Sequence, residues 1–100
     1  MTRYGTIEEL EEILLEDELS DLETPAQLIV YNDDFNTFDW VIESLIEVLK
    51  HSKIQAEQLS LLIHFGGKAT VKTAPEEELR PQKDALVERG LSAVIEHLQD

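Results

Sequence analysis

Several residue types are scarce or absent in this 100-residue sequence, and each absence excludes a class of protein. The sequence has no cysteine, which excludes a disulfide framework, a thiolate zinc site and a thiol nucleophile, and suits the reducing cytoplasm. Eight Lys and Arg stand against 22 Asp and Glu, a net charge of −14, so we expect no nucleic-acid partner. Apolar runs such as residues 28–31 are far shorter than the roughly 18 residues that span a bilayer, which predicts neither a membrane segment nor a signal peptide. We therefore expect a cytoplasmic protein.

The charge is distributed unevenly along the chain. Residues 1–24 carry nine acidic side chains and one basic side chain. Thr6 and Glu9 have the spacing of a helical capping box, but repulsion among the acidic side chains disfavours a stable helix. We predict a flexible acidic N-terminal extension over residues 1–25, either solubilising or interacting, and one folded domain over residues 26–100.

A strand and a turn are predicted at the start of the folded domain. Residues 28–31 are continuously apolar, which indicates a central strand that is covered on both faces. Asn32, Asp33 and Asp34 follow it directly and favour a turn, because their side chains bond to nearby backbone. We expect the chain to leave the sheet at this point.

Two helices are predicted next. Asn36 or Thr37 is suited to cap the first helix, after which apolar residues recur at helical spacing. Ser52 begins a capping box for the second helix, and the glycines at 66–67 provide a left-handed stop, so this helix is expected to end near His64. The predicted buried stripe of the second helix comprises Ile54, Leu59, Leu62 and Ile63.

A strand, a third helix and a closing strand complete the prediction. Residues 68–72 alternate between apolar and polar side chains, which is typical of a strand with one wet face. In the closing strand, Leu91, Ala93 and Ile95 alternate with Ser92, Val94 and Glu96. The helix between them is expected to stop at Gly90, and Pro81 either starts its regular part or kinks it. Its predicted buried positions are Leu79, Leu86 and Val87. The order β-α-α-β-α-β predicts an α+β layer in which helices pack on a mostly antiparallel sheet.

The chemically versatile side chains give weak signals when taken one at a time. The sequence has no phosphate loop, metal-ligand motif or nucleophile elbow, so we predict no catalytic residue, metal or cofactor. His51 is interpreted as the solvated end of a helix rather than as a metal ligand with Glu47, and His97 as a mobile residue near the chain end. His64 has apolar neighbours and is expected to be partly buried, either as a core histidine or as a functional one.

Two segments carry motifs that are specific in combination. Residues 28–42 read LIVYNDDFNTFDWVI, and residues 56–69 read AEQLSLLIHFGGKA. An Asn-Asp-Asp turn after the first strand and a His-aromatic-x-Gly-Lys-Ala segment at the end of the second helix resemble the ClpS family of adaptors for the Clp protease. The resemblance covers about residues 27–96 and implies a three-stranded antiparallel sheet with three helices, in agreement with the predicted order of elements.

The resemblance implies a non-enzymatic adaptor of the N-end rule. Such an adaptor binds N-degrons, meaning substrate proteins with N-terminal Leu, Phe, Tyr or Trp, and delivers them to the Clp AAA+ ATPase and its peptidase. At the matching positions, Asn32, Asp33 and neutral His64 would accept hydrogen bonds from the ligand α-amine, while Asp34 and Asn36 would shape the turn and contact the ligand backbone. The residues that match the hydrophobic pocket are Val30, Phe38, Val41, Ser60, Ile63 and Leu91.

Two pocket positions depart from the family pattern, which commonly has Met at both. We expect Phe38 to exclude β-branched N-terminal residues, and the Ser60 hydroxyl to accommodate the polar ends of Tyr or Trp. For delivery, the resemblance implies that the N-terminal extension engages the ATPase and that the folded body docks on the ATPase N-terminal domain. Glu78 and Lys83 are the docking candidates.

Two alternatives remain open. The first is a docking protein that binds the Clp ATPase and modulates substrate choice without an open N-degron pocket, which is expected if Phe38 fills the cavity. The second is an enzyme that uses Asp33 and His64 as an acid–base pair, although the sequence lacks a nucleophile or metal motif to accompany them.

Overall fold

The computed structural model describes residues 25–97, so the predicted N-terminal extension lies outside the described residues except for Pro25. The described chain forms β1 (Pro25–Tyr31), α1 (Phe38–Leu49), α2 (Lys53–Gly66), β2 (Lys68–Pro75), α3 (Glu76–Glu88) and β3 (Ser92–His97). This confirms the α+β class and the predicted order of elements. Neither the length nor the apolar character required to cross a bilayer is found in any helix within residues 25–97.

β1 is the central strand of an antiparallel sheet, as its apolar run predicts. β2 and β3 pair with it on either side, in the order β2-β1-β3. β1 begins at Pro25 rather than at Leu28, because its first residues pair with the end of β2. Ala26, Leu28 and Val30 alternate towards the core, whereas Ile29 points to the opposite face and is still only 4% exposed.

The three helices contribute to one hydrophobic core together with one face of the sheet. Each fully buried Leu or Val side chain in such a core stabilises the fold by about 1.5–3 kcal/mol. The core cluster comprises Ala26, Leu28, Val30, Val41, Leu45, Leu49, Ala56, Ile63, Val71, Leu79, Leu86, Leu91 and Ala93.

Local signals in the sequence set the helix boundaries. Thr37, rather than Asn36, caps α1, and Ser52 caps α2; each hydroxyl accepts a hydrogen bond from the backbone N–H three residues further on. Gly67 ends α2 with a φ of 95°, in the left-handed region that glycine tolerates. The helix runs to Gly66, two residues beyond its expected end near His64.

The predicted buried faces of α2 and α3 are partly wrong. Ile54 and Leu62 are 68% and 58% exposed, and Val87 is exposed as well. Ala56 and Ser60 are buried in their place, together with the correctly predicted Ile63. Apolar residues occur on several sides of α2, so periodicity alone does not identify the side that packs, and small residues at 56 and 60 allow close approach.

The structure also decides between the two alternatives for Pro81 and shows the surroundings of two histidines. α3 begins at Glu76, so Pro81 lies inside the helix rather than at its start. His51 is half-buried, with Nε2 2.8 Å from the carbonyl oxygen of Val71, and is therefore only partly solvated. His97 belongs to β3 and its ring contacts the Glu76 carboxylate, because the antiparallel sheet brings its end beside the start of α3.

Candidate ligand-binding site

The two motifs of the sequence meet where β1 and α2 end. The backbone N–H of Asn32 donates to the carbonyl oxygen of Gly67 at 2.9 Å, which joins the loop after β1 to the turn after α2. This contact brings Asn32 and His64 to the same cavity. His64 is exposed there, and not partly buried as expected, because α2 continues past it to Gly66 with this side facing solvent.

A small cavity lies between the β1–α1 loop, α1 and α2. Its lining residues are Asn32, Asn36, Phe38, Val41, Ser60, Ile63 and His64. Asn32 and His64 are exposed, whereas Val41, Ser60 and Ile63 are buried, so a polar mouth leads to a largely apolar interior. The cavity volume is about 20 Å³, the room that about one water molecule needs.

Phe38 narrows the cavity at its rim. It is the first residue of α1, is 37% exposed, and meets the His64 ring edge-on with the ring centroids 6.2 Å apart. A volume of about 20 Å³ is far too small for a Leu or aromatic side chain. A bulky side chain can therefore enter only if Phe38 or a neighbouring group moves.

Asp33 organises the β1–α1 loop. Its Oδ1 accepts from the backbone N–H of Phe35 at 2.9 Å and of Asn36 at 2.8 Å, and its Oδ2 accepts from Asn36 Nδ2 at 2.7 Å and Ser92 Oγ at 3.2 Å. Partial burial raises the pKa of Asp33, but these hydrogen bonds outweigh it and hold the pKa below its ordinary value. The carboxylate is therefore charged at neutral pH, with two hydrogen bonds on each oxygen.

The loop is also tied to the turn between α3 and β3. Asn36 Nδ2 donates to the carbonyl oxygen of Gly90 at 2.9 Å. The Arg89 guanidinium stacks on the Trp40 ring at 4.4 Å and donates through Nε to Ser44 Oγ at 2.9 Å. Sequence reasoning missed these supports. The glycine that ends α3 is the one local signal for them, because the partners lie more than 40 residues apart along the chain.

Some predicted site residues do not line the cavity. Val30 and Leu91 are part of the hydrophobic core. Asp34 is exposed in the loop, and Asp33 directs both oxygens into the loop's own hydrogen bonds. The structure thus brings Asn32, Asn36 and His64 together at or near the mouth. Asp33 and Asp34 belong to the same loop but do not line the cavity.

The two docking candidates lie apart on α3. Glu78 pairs with Lys72 of β2 at 2.7 Å, and Lys83 pairs with its neighbour Asp84 at 2.9 Å. Lys83 is the fifth residue after Glu78, which places the two about 140° apart around the helix. Lys83 borders the groove between α3 and β3, whereas Glu78 faces β2.

The arrangement is suited to binding a ligand. Within residues 25–97, no group of three or more His, Asp and Glu is placed to hold a metal ion. An exposed amide and an exposed imidazole at the mouth can accept hydrogen bonds, and the interior can take apolar atoms. Phe35 follows the Asn-Asp-Asp turn directly, and Phe65 is the aromatic residue of the second motif. They are 91% and 79% exposed and add apolar surface next to the two motifs.

Comparison with known proteins places this geometry in context. A family model described as the ATP-dependent Clp protease adaptor protein ClpS matches residues 21–94. The ATP-dependent Clp protease adapter protein ClpS of Thermosynechococcus vestitus is 33% identical over 67 residues, covering 66% of this chain and 71% of the relative. The protein of the same name from Neisseria meningitidis is 33% identical over 76 residues, covering 72% of this chain and 74% of the relative.

A solved structure shares the fold. Agrobacterium tumefaciens ClpS2 bound to L-phenylalaninamide superimposes with a TM-score of 0.64 at 21% sequence identity, covering 75% of this chain and 98% of the other. The similarity supports the three-stranded architecture described above.

Proposed function

This chain belongs to the ClpS family of adaptors of the Clp protease, which are regulators and not enzymes, and from that premise we propose that it is an N-degron adaptor. It binds the free α-amine and the bulky apolar side chain of a substrate's N-terminal residue and delivers that substrate to the Clp AAA+ ATPase in the cytoplasm. The observation that carries the proposal is the cavity with a polar mouth and a largely apolar interior between the two motifs.

The mouth supplies the chemistry for recognising a chain end. A protonated α-amine carries one charge and three N–H donors, whereas an internal peptide group has one donor and no charge. In the proposal, Asn32 Oδ1 and an unprotonated nitrogen of His64 accept from the amine. The Asp33 carboxylate contributes its negative charge and holds the loop, and Asp34 and Asn36 bring loop backbone towards the ligand main chain. An internal peptide lacks the charge and the donors that these groups require.

The interior takes the N-terminal side chain once the rim opens. Val41 and Ile63 offer apolar contact, and Phe38 is the group whose rotation makes room. Val30 and Leu91 support this wall from the core. The Agrobacterium ClpS2 structure, whose ligand is L-phenylalaninamide, supports the class of ligand proposed, a free amine with an apolar side chain.

Delivery requires contact with the ATPase. We propose that the folded body docks on the ATPase N-terminal domain and that the acidic extension takes part in the handover. A partner that touches both Glu78 and Lys83 has to straddle α3, because the two lie on different sides of it. Charge reversal of each, Glu78→Lys and Lys83→Glu, with calorimetric binding to the isolated ATPase domain, identifies the side that docks; unchanged affinity in both variants contradicts this assignment.

The experiment that tests recognition is fluorescence anisotropy with labelled peptides. The peptides begin with Leu, Phe, Tyr, Trp, Val or Ala and differ otherwise only in a free or acetylated amine. We expect free bulky N-termini to bind and acetylated ones to fail. Loss of a hydrogen bond to a charged group costs about 1.5–3 kcal/mol, so Asn32→Ala is expected to weaken binding about tenfold to a hundredfold.

A matched control separates recognition from general damage. Gln58→Ala removes an exposed amide elsewhere on α2 and is expected to leave affinity unchanged. Equal binding of free and acetylated peptides, or equal effects of the two substitutions, contradicts the proposed role of the mouth.

A second candidate function is favoured by the cavity's size. At about 20 Å³ the cavity is closed to bulky side chains in this conformation, as expected for a docking protein that binds the ATPase and alters substrate choice without holding an N-degron. In that case the chain slows degradation of other substrates by the reconstituted protease, while no peptide of the panel binds.

A further inference from the structure

Ser60 is a buried polar side chain without a hydrogen-bond partner. It is 2% exposed, and its Oγ has no partner among the described residues. Ser60 is also one of the residues that line the cavity. Buried hydroxyl groups are nearly always hydrogen-bonded, because burial without a partner costs the full desolvation penalty.

Ser44, the other fully buried serine among residues 25–97, shows what a structural hydroxyl does in this fold. Ser44 is 0% exposed and accepts from Arg89 Nε at 2.9 Å, which fixes the turn that supports the loop. The Ser60 hydroxyl makes no such hydrogen bond to another residue within 25–97. A buried hydroxyl beside a cavity with a polar mouth, and without a structural hydrogen bond, indicates a role towards a ligand.

The position of Ser60 relative to the mouth indicates which part of a ligand it meets. Ser60 precedes His64 by four residues on α2, one helical turn, so the two side chains lie on the same face about 6 Å apart along the axis. His64 is exposed and Ser60 is buried. A ligand whose amine lies at His64 therefore extends its side chain inwards, towards Ser60.

We propose that Ser60 is a specificity-determining residue whose hydroxyl hydrogen-bonds to a polar atom at the end of the ligand's N-terminal side chain. It thereby favours N-terminal Tyr or Trp over Phe or Leu. This inference rests on the proposed N-degron function. A serine hydroxyl has one donor and two acceptor sites, so it can accept from the phenol of Tyr or the indole N–H of Trp and can also donate to the phenol.

Cavity size and composition agree with this assignment. The volume of about 20 Å³ is close to the room that one water molecule needs, and Ser60 is the buried polar residue in an interior otherwise formed by groups such as Val41 and Ile63. A ligand hydroxyl or indole N–H that reaches Ser60 supplies the hydrogen bond that its Oγ lacks. The side chain of Phe or Leu offers no such partner and leaves Ser60 unpaired.

The test compares peptides that begin with Tyr or Phe and are otherwise identical, so that the two ligands differ by one hydroxyl. Affinities are measured by calorimetry for the wild type, Ser60→Ala and Ser60→Thr, each with free and acetylated peptides. A net hydrogen bond is expected to give the wild type a preference for Tyr of about threefold to tenfold. Ser60→Ala is expected to abolish or reverse the preference, and Ser60→Thr, which keeps a hydroxyl, to retain it.

The outcomes test the specificity role of Ser60 separately from the proposed N-degron function. If free Phe and Tyr peptides bind and their affinity ratio is the same in wild type and Ser60→Ala, the specificity role of Ser60 is refuted and the N-degron function stands. If no free-amine peptide binds the wild type, the proposed function is refuted and this inference with it. A preference for Tyr that depends on the hydroxyl at position 60 supports both.

Discussion

Replacing Ser60 with alanine is expected to stabilise the fold. Its side chain is 2% exposed and its hydroxyl is unpaired among the described residues, so the substitution removes a buried polar atom and breaks no hydrogen bond within residues 25–97. An unpaired buried hydroxyl costs about 1–3 kcal/mol, and alanine gains about 0.5 kcal/mol of helix propensity over serine. A water molecule that reached the hydroxyl in solution would offset part of this cost, since the cavity of about 20 Å³ has room for about one. We therefore expect a gain in unfolding free energy of about 1 kcal/mol.

Urea denaturation measures this gain, because the sequence has one tryptophan, Trp40, which packs against Arg89 and reports on tertiary structure. The midpoint is expected to rise at unchanged m value, and the thermal midpoint to rise by about 4–8 °C for each kcal/mol in a domain of this size. Ser44→Ala is the matched control. It makes the same substitution at a buried helical position but removes the acceptor of Arg89 Nε, and is expected to destabilise by about 1–3 kcal/mol.

The opposite sign refutes the reasoning. If Ser60→Ala lowers the unfolding free energy by as much as Ser44→Ala does, the Ser60 hydroxyl has a structural hydrogen bond in solution, and the argument for a ligand partner loses its premise. If the two substitutions change stability in opposite directions, the two serines have the separate tasks described above.

The other predictions concern the rim and the loop. Phe38→Ala enlarges the cavity and is expected to let peptides beginning with Val or Ile bind at least about tenfold more tightly. Phe35→Ala is the control, because Phe35 is 91% exposed and does not line the cavity, and it is expected to leave the affinity for these peptides unchanged. Equal anisotropy titrations for the two variants contradict the role of Phe38 at the rim. Asn36→Ala removes donors to Asp33 and Gly90 and is expected to destabilise by about 1–3 kcal/mol, so an unchanged urea midpoint argues against the loop network. Because hydrogen bonds lower the folded pKa of Asp33, its charge stabilises the fold above the unfolded pKa of about 3.9, and that stabilisation is lost as the pH falls through the lower folded value. The stability difference between wild type and Asp33→Asn, followed by urea denaturation from about pH 6 to about pH 3, is therefore expected to shrink, and a constant difference contradicts the charge argument.

Local chemistry explains which parts of the fold were predictable. Thr37, Ser52 and Gly67 act through neighbours within four residues, so their boundaries follow from sequence spacing. The central position of β1 follows from its continuous apolar run. The packed side of α2 was not predictable, because Ile54 and Leu62 are as apolar as Ile63 and only the placement of neighbouring elements selects between them.

The candidate site also has parts that the sequence predicts and parts that it does not. The pairing of Asn32 with His64 at one site was predictable, because the two motifs that contain them occur in a specific order along the sequence. The two residues are far apart along the chain, and folding brings them to the same cavity. The partners that hold the loop, Gly90 and Ser92, were not predictable, because they lie 54 and 59 residues from the side chains they contact. Asp33 shows the consequence: from the sequence it is an acceptor for a ligand amine, whereas the structure gives both of its oxygens to the loop.

Ser60 also bears on the choice between an N-degron adaptor and a docking protein with a closed pocket. If the cavity never opened, the unpaired Ser60 hydroxyl would lower the stability of the folded protein without any benefit, and alanine would stabilise the helix more. An apolar residue would likewise suit an interior that only had to be filled. If the cavity opens when Phe38 moves, the Ser60 hydroxyl gains a hydrogen-bond partner in the bound state. The hydroxyl then lowers the stability of the free protein but contributes to ligand selectivity. A stabilising Ser60→Ala that also erases the discrimination between Tyr and Phe therefore favours the open pocket, whereas stabilisation without any peptide binding favours the closed one.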